Sequence, residues 1–207
     1  MHKIPSVVVI DYNMGNIRSI LNKIQHAGFQ AILSNELSLI KTADKIILPG
    51  VGHFQKGMKN LKESGLIDIL NQKVLIEKTP ILGICLGMQL FCRFSEEGNE
   101  EGLGWLDAET IRFNLSDIRH KVPHMGWNSL ERKKESQLLH GIPDDCSYYF
   151  VHSFHVKCND NSDVLASTEY GYEFVSAIQK DNIYGVQFHP EKSHEWGEQL
   201  LLNFLKL

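Results

Sequence analysis

Cys85 is the residue of this chain best placed to act as a nucleophile. It stands at the centre of Gly83-Ile84-Cys85-Leu86-Gly87, between an apolar run and a segment, Met88-Gln89-Leu90-Phe91, that reads as the start of a helix. Gly-x-nucleophile-x-Gly is the pattern of a nucleophile elbow: the glycines leave room where strand and helix pass closely, and the central side chain is held on a tight turn. A sulfur at a helix start meets the positive end of the helix dipole, and the next backbone amide, that of Leu86, points where an oxyanion would form. From this pentapeptide alone, a buried structural cysteine fits as well.

A thiol nucleophile needs a base, and Gly185-Val186-Gln187-Phe188-His189-Pro190-Glu191 supplies one. Pro190 fixes its own φ and pushes His189 toward extended geometry, so His189 and Glu191 are expected on the same side of a strand end. Glu191 would then orient the His189 imidazole, which takes the thiol proton, returns it to the departing amine and activates water. Read alone, His-Pro-Glu is better taken as a surface histidine beside a turn proline. The chain order of nucleophile, histidine and acid differs from that of α/β-hydrolases.

A third segment, Pro49-Gly50-Val51-Gly52, follows an apolar run, and its glycines let backbone N–H groups approach a ligand. It lacks the Lys-Ser/Thr ending of a phosphate-binding loop. His152 and His155 lie three apart without a further acidic or cysteine ligand nearby, a poor metal site, so no metal is expected and His152 reads as structural or site-lining.

These residues must be positioned by a core, and 207 residues with 43% hydrophobic content are enough for one, so residues 1–207 are expected to form a single domain. Ser6 to Asp11 reads as a buried strand; Ile17, Ile20, Leu21 and Ile24 recur at helical spacing until Gly28. Further strands are expected at Phe29–Leu33, Lys45–Leu48 and Pro80–Cys85, with helices around Met58, Leu61, Leu66, Ile69, Leu70 and Val74. Strands alternating with helices predict an α/β fold with a mostly parallel central sheet flanked by helices.

Beyond about residue 103 the texture changes to short alternating segments, 108–113, 124–130, 148–157, 164–169, 174–179 and 183–188, with hairpin signals at Gly171 and Asp181-Asn182. An additional antiparallel portion in the C-terminal half follows, closed by a helix over Glu195–Leu205. Glu96 to Glu101 reads as a solvated acidic loop, Glu131 to Glu135 as a charged turn, and Cys92 as a core residue on the helix after Cys85.

A net charge of -4 without a Lys/Arg-rich stretch argues against nucleic acid. The apolar runs are strand-sized, so no membrane contact is expected, and without a signal-peptide core the expected location is cytoplasmic. Four scattered cysteines make neither a disulfide framework nor a paired zinc site.

Six motifs together carry a family resemblance: Asp11-Tyr12-x-x-Gly15-Asn16-x-Arg18-Ser19, Pro49 to Phe54, Gly83 to Gln89, Pro123-His124-Met125-Gly126-Trp127-Asn128, Tyr149 to Ser153, and Gly185 to Ser193. The chain resembles class I, triad-type glutamine amidotransferases over nearly its whole length. Within them it is similar to the branch that forms the glutaminase subunits of imidazole glycerol phosphate synthases. The resemblance implies that Cys85, His189 and Glu191 are the triad, that Val51 supplies a second oxyanion amide beside Leu86, and that no cofactor is needed. It also implies that Gly50, Gly52, Gln89 and the backbone at Ser153 and Phe154 hold L-glutamine.

The implied partner is a (β/α)8-barrel cyclase that receives the ammonia, met through Pro123, Met125, Trp127 and Asn128, with Asn13, Asn16 and Lys192 alongside. A core tryptophan in an antiparallel strand fits Trp127 as well. The competing expectations are a paralogous glutaminase feeding a different synthase, such as one that amidinates surface sugars, a γ-glutamyl hydrolase or peptidase, and a non-catalytic subunit.

Overall fold

The computed structural model describes residues 6–15, 17–116 and 119–207. The chain opens with β1 (Val7–Ile10), α1 (Ile17–His26), β2 (Ala31–Ser34), α2 (Leu37–Lys41), β3 (Lys45–Gly50), α3 (Phe54–Glu63) and α4 (Leu66–Asn71), then a π-helical turn over Gln72–Ile76, β4 (Ile81–Cys85) and α5 (Leu86–Gln89). β2, β1, β3 and β4 pair in that order, all parallel. Val8 and Ile10 join one apolar cluster while Val7 and Val9 join another, so alternate residues of β1 face opposite sides of the sheet and both sides are covered. β2 is the edge, and its Ile32 and Leu33 are exposed. The short α2 was not expected from the sequence.

The second half runs β5 (Phe94–Ser95), β6 (Glu100–Glu101), β7 (Ala108–Arg112), β8 (His124–Ser129), β9 (Glu131–Arg132), β10 (Ser147–His152), β11 (Phe154–Cys158), β12 (Val164–Glu169), β13 (Glu173–Lys180), β14 (Ile183–Val186) and α6 (His194–Lys206). β14 returns to lie parallel to β4, and β13 then pairs with it antiparallel, extending the sheet through β11 and β7 to β5 and β6. The hairpins expected at Gly171 and Asp181-Asn182 are the β12–β13 and β13–β14 connections. β8 and β10 form a separate two-stranded sheet.

Three expectations need correction. The alternating stretch 148–157 is two strands in different sheets: the chain breaks at Ser153, whose carbonyl accepts from Phe113 N–H, after which β11 pairs with β7 instead of continuing beside β8. The helix after Cys85 ends at Gln89, because the Leu90 carbonyl is taken by Leu103 N–H and the Phe91 carbonyl by Trp105 and Leu106 N–H. Cys92 is buried in the core as expected, but in the turn that follows and not on the helix. Glu131–Glu135 begins not as a turn but as β9, which pairs with β12. Among the described residues no helix is long and apolar enough to cross a membrane.

Candidate active site

β4 delivers Cys85 to its carboxyl end, between β3 and β14, with φ 54° and ψ −111° at the cysteine. Non-glycine residues rarely adopt this backbone, and such strain persists only where surrounding packing enforces it. Here it does: a Cβ on Gly83 would stand 2.6 Å from the Phe91 ring and 2.7 Å from Met88 N, and one on Gly87 would collide with the Leu48 carbonyl. Strand, turn and helix therefore pack backbone against backbone, and Leu86 opens α5 directly after Cys85.

His189 lies beyond β14, held by its amide on the Tyr149 carbonyl at 2.9 Å and by the Ser193 hydroxyl donating to its own carbonyl at 2.6 Å. Glu191 is not on a strand end, as the sequence suggested, but on a 3-10 turn over Pro190–Lys192, which curls its carboxylate back so that Oε1 lies 2.9 Å from His189 Nδ1. His189 Nε2 is buried and has no hydrogen bond of normal geometry. Burial opposes charge on this ring, but the neighbouring Cys85 sulfur and the Glu191 carboxylate outweigh it, and the His189 pKa is pushed up to about 10.

Cys85 opens into a cavity of about 380 Å³ lined by Val51, Gly52, Leu86, Gln89, Glu97, Pro123, Val151, His152, Ser153 and Phe154. Most residues singled out for substrate thus share one wall with the sulfur. Gly50 does not line it. It is buried at the end of β3 opposite Cys85, where a Cβ would stand 2.5 Å from the Tyr12 hydroxyl and 2.9 Å from Leu86 Cβ, so it is needed for close packing behind the site. Gly52, at φ +115°, turns the loop toward the cavity.

Backbone polarity in the cavity is specific. The Ser153 carbonyl is occupied by Phe113 N–H, and the Phe154 carbonyl accepts from Gln89 Nε2 at 3.0 Å. Among the described residues the N–H groups of Val51 and Ser153 make no hydrogen bond. The cavity lining therefore includes free backbone donors at Val51 and Ser153 and the carboxylate of Glu97, whose Oε2 accepts from Phe54 N–H at 2.8 Å at the start of α3.

Glu97 corrects the reading of 96–101 as a merely solvated loop. Glu96 accepts from Arg112 N–H, and Glu100 and Glu101 form β6. Nothing in a run of acidic residues distinguishes the one that folds back over a helix start. Gln187 was also missed: fully buried, it accepts from Gln89 Nε2 at 2.9 Å and turns its own Nε2 toward Cys85 Sγ at 3.6 Å. Its place two residues before His189, on the face opposite Phe188, was the available signal. The buried Tyr12 hydroxyl donates to the Pro49 carbonyl at 2.6 Å and anchors the Val51 loop from behind.

Of the residues expected to meet a partner, Met125 is 61% and Trp127 48% exposed, on the face of β8 opposite the buried His124. Trp127 is therefore not a core tryptophan. Its ring stacks on His194 at 4.8 Å and 4°, and Lys192 Nζ lies 5.3 Å over the Tyr149 ring. Pro123 and Asn13 are exposed, while half-buried Asn128 ties itself to the Glu169 carbonyl at 2.9 Å. Asn16 lies outside the described residues. His152 and His155 are not a ligand pair: His152 Nδ1 meets the Phe154 carbonyl and His155 Nε2 the Tyr172 hydroxyl, each at 2.8 Å.

The family model for glutamine amidotransferase class-I matches residues 8–207. The chain is 54% identical to "Imidazole glycerol phosphate synthase subunit HisH 2" of Methanococcus maripaludis, over 97% of this chain and 98% of that protein. It is 48% identical to the protein of the same name in Pseudomonas aeruginosa, over 97% and 99% of the two chains. Among solved structures, one titled as a glutamine amidotransferase superposes with a TM-score of 0.74 at 19% identity, covering 96% of this chain and 97% of that one. The PurLQS structure from Thermotoga maritima superposes with 0.72 at 18% identity over 99% of each. At such identities these two structures bear on the fold alone.

Proposed function

The chain belongs to the class I glutamine amidotransferase family, and from that premise we propose that it is the glutaminase subunit of an imidazole glycerol phosphate synthase, releasing ammonia from L-glutamine for a (β/α)8-barrel cyclase. The observation that carries the reading is the strained Cys85 beside the His189–Glu191 pair at the wall of a cavity lined by free backbone N–H groups and a carboxylate. Cys85 Sγ attacks the carboxamide carbon, and His189 takes the thiol proton and delivers it to the departing nitrogen. Ammonia leaves behind a glutamyl thioester, which water, activated by the same imidazole, hydrolyses to glutamate. The amides of Val51 and Leu86 receive the charge that develops on the carbonyl oxygen in both steps.

The amino-acid head fits the rest of the cavity. The Ser153 N–H suits the substrate carboxylate, Glu97 suits its ammonium group, and Gln89 and Phe154 line the same cavity. The reaction needs no cofactor. Ammonia made at Cys85 passes to the cyclase across the face that carries Pro123, Met125 and Trp127, with Lys192 beside it over the Tyr149 ring and Asn13 a further contact on the family resemblance; the cyclase then makes imidazole glycerol phosphate.

In the assembled complex, Cys85→Ala is expected to abolish synthesis driven by glutamine and to spare synthesis driven by added ammonium. Loss of both in a correctly assembled complex would overturn the assignment of Cys85 to ammonia release. A second reading, in which the same glutaminase feeds a different synthase, draws on the copy numbers in several relatives' names. It predicts ammonia transfer only with that other synthase, and pairing the chain with each candidate separates the two.

A further inference from the structure

We propose that His124 and His152 form a directed positioning pair that fixes the Phe154 carbonyl and so sets how tightly the cavity holds the head of its amino-acid substrate; this rests on the reading of the cavity as a glutamine site. His152 lines the cavity, and its Nδ1 lies 2.8 Å from the Phe154 carbonyl oxygen. A carbonyl only accepts, so Nδ1 must carry the proton. Burial pulls the pKa of His152 well below the ordinary histidine value, and burial together with nearby His120 takes that of His124 down to about 4, so both rings are neutral at physiological pH.

A neutral His152 protonated on Nδ1 has only a lone pair on Nε2. The group facing that lone pair is His124 Nδ1, 3.0 Å away, which must therefore be the donor. The hydrogen bonds run in one direction, from His124 to His152 to the Phe154 carbonyl. The same carbonyl accepts from Gln89 Nε2, so two cavity-lining side chains hold one peptide oxygen from two sides.

The His124 ring cannot easily turn to break this order. It stacks on Tyr170 at 4.0 Å and 29° and on Phe150 at 4.9 Å and 27°, while the Tyr170 hydroxyl donates to the Lys121 carbonyl at 2.9 Å. Without a donor at position 124, His152 is free to place its proton on Nε2 and present a lone pair to the Phe154 oxygen. The 154–155 peptide, two units along the chain from the 152–153 peptide that carries the free Ser153 N–H, would then lose one of its two anchors. The effect falls on substrate holding and not on the reacting carbon, because neither ring takes part in the bond changes at Cys85.

The test is steady-state glutamate release by the complete complex, at saturating cyclase and nucleotide substrate, for wild type, His124→Phe and His124→Asn. Asn keeps a donor near the position of Nδ1, whereas Phe keeps the stacking and loses the donor. His124→Phe is expected to raise KM for glutamine about tenfold with kcat within about threefold, as for one weakened hydrogen bond, and His124→Asn to keep KM near wild type. Unchanged KM in His124→Phe, or equal damage in both variants, overturns the proposal.

Nitrogen NMR of the imidazole rings gives a readout that needs neither turnover nor a variant. Wild-type His152 must be the Nδ1–H tautomer, and finding Nε2–H overturns the pair outright. A wild-type complex that shows this tautomer yet releases no glutamate would instead count against the glutaminase reading.

Discussion

Gln89 Nε2 donates to Gln187 Oε1 at 2.9 Å, and Gln187 turns its own amide toward Cys85 Sγ at 3.6 Å. A buried side chain is thus shared between the substrate wall and the sulfur, and its two ends cannot be exchanged without leaving an N–H against an N–H.

Gln187→Leu keeps the volume, removes the donor beside Cys85 and strands one Gln89 N–H. The variant is expected to lose about 1–3 kcal/mol of stability in urea unfolding, the usual cost of a buried unsatisfied group, and to release glutamate more slowly. Wild-type values in both measurements would count against the shared role.

The His189 pKa of about 10 stands above the ordinary value of about 6.5 for an unfolded chain. The folded state therefore binds more protons between roughly pH 6.5 and pH 10, and the stabilisation is fully present below that window and lost as pH rises through it, at most about 1.4 kcal/mol per pH unit. Ring-proton NMR should follow this titration directly. In Cys85→Ala, which removes one of the two groups favouring the charged ring, the His189 midpoint should fall; an unchanged midpoint would mean the sulfur has no part in it.

Gly87→Ala places a methyl group against the Leu48 carbonyl, where strand β3 cannot move without breaking its ladder with β4. The expected loss is about 3 kcal/mol, at the upper end for overpacking, visible as a lowered thermal midpoint. Gly57→Ala, in α3 with only the flexible ends of the Leu86 and Leu90 side chains at 3.3 to 3.5 Å from its Cβ position and no positive φ, is the comparison that lacks a backbone collision. Equal losses in the two would reject the collision.

Trp127 is half-exposed, so Trp127→Ala should cost the free subunit little stability. If β8 meets the cyclase, the same change should weaken binding by about 2 kcal/mol, roughly thirtyfold in Kd by calorimetric titration, as expected for an aromatic anchor. An unaltered Kd would move the interface elsewhere.

The elbow at Cys85 and the closeness of His189 and Glu191 were legible in the sequence because each is set by local rules, while their roles as a triad came from the family resemblance. The glycines around Cys85 specify a tight elbow, and a proline between His189 and Glu191 limits the ways their side chains can meet. The parallel half of the fold was legible for a similar reason, since apolar runs alternating with helical spacing allow few other layer arrangements. What only the tertiary structure decided are relationships between residues far apart in the chain. Glu97 folds over the start of α3, Gln187 reaches the sulfur across 102 residues, Gly50 packs behind the cavity instead of lining it, and the stretch 148–157 divides between two sheets at Ser153. Periodicity and spacing report which face of an element is buried. They carry no information on which distant polar group satisfies a buried donor, and that pairing, enforced by the cost of leaving it unmade, is what shapes the cavity around Cys85.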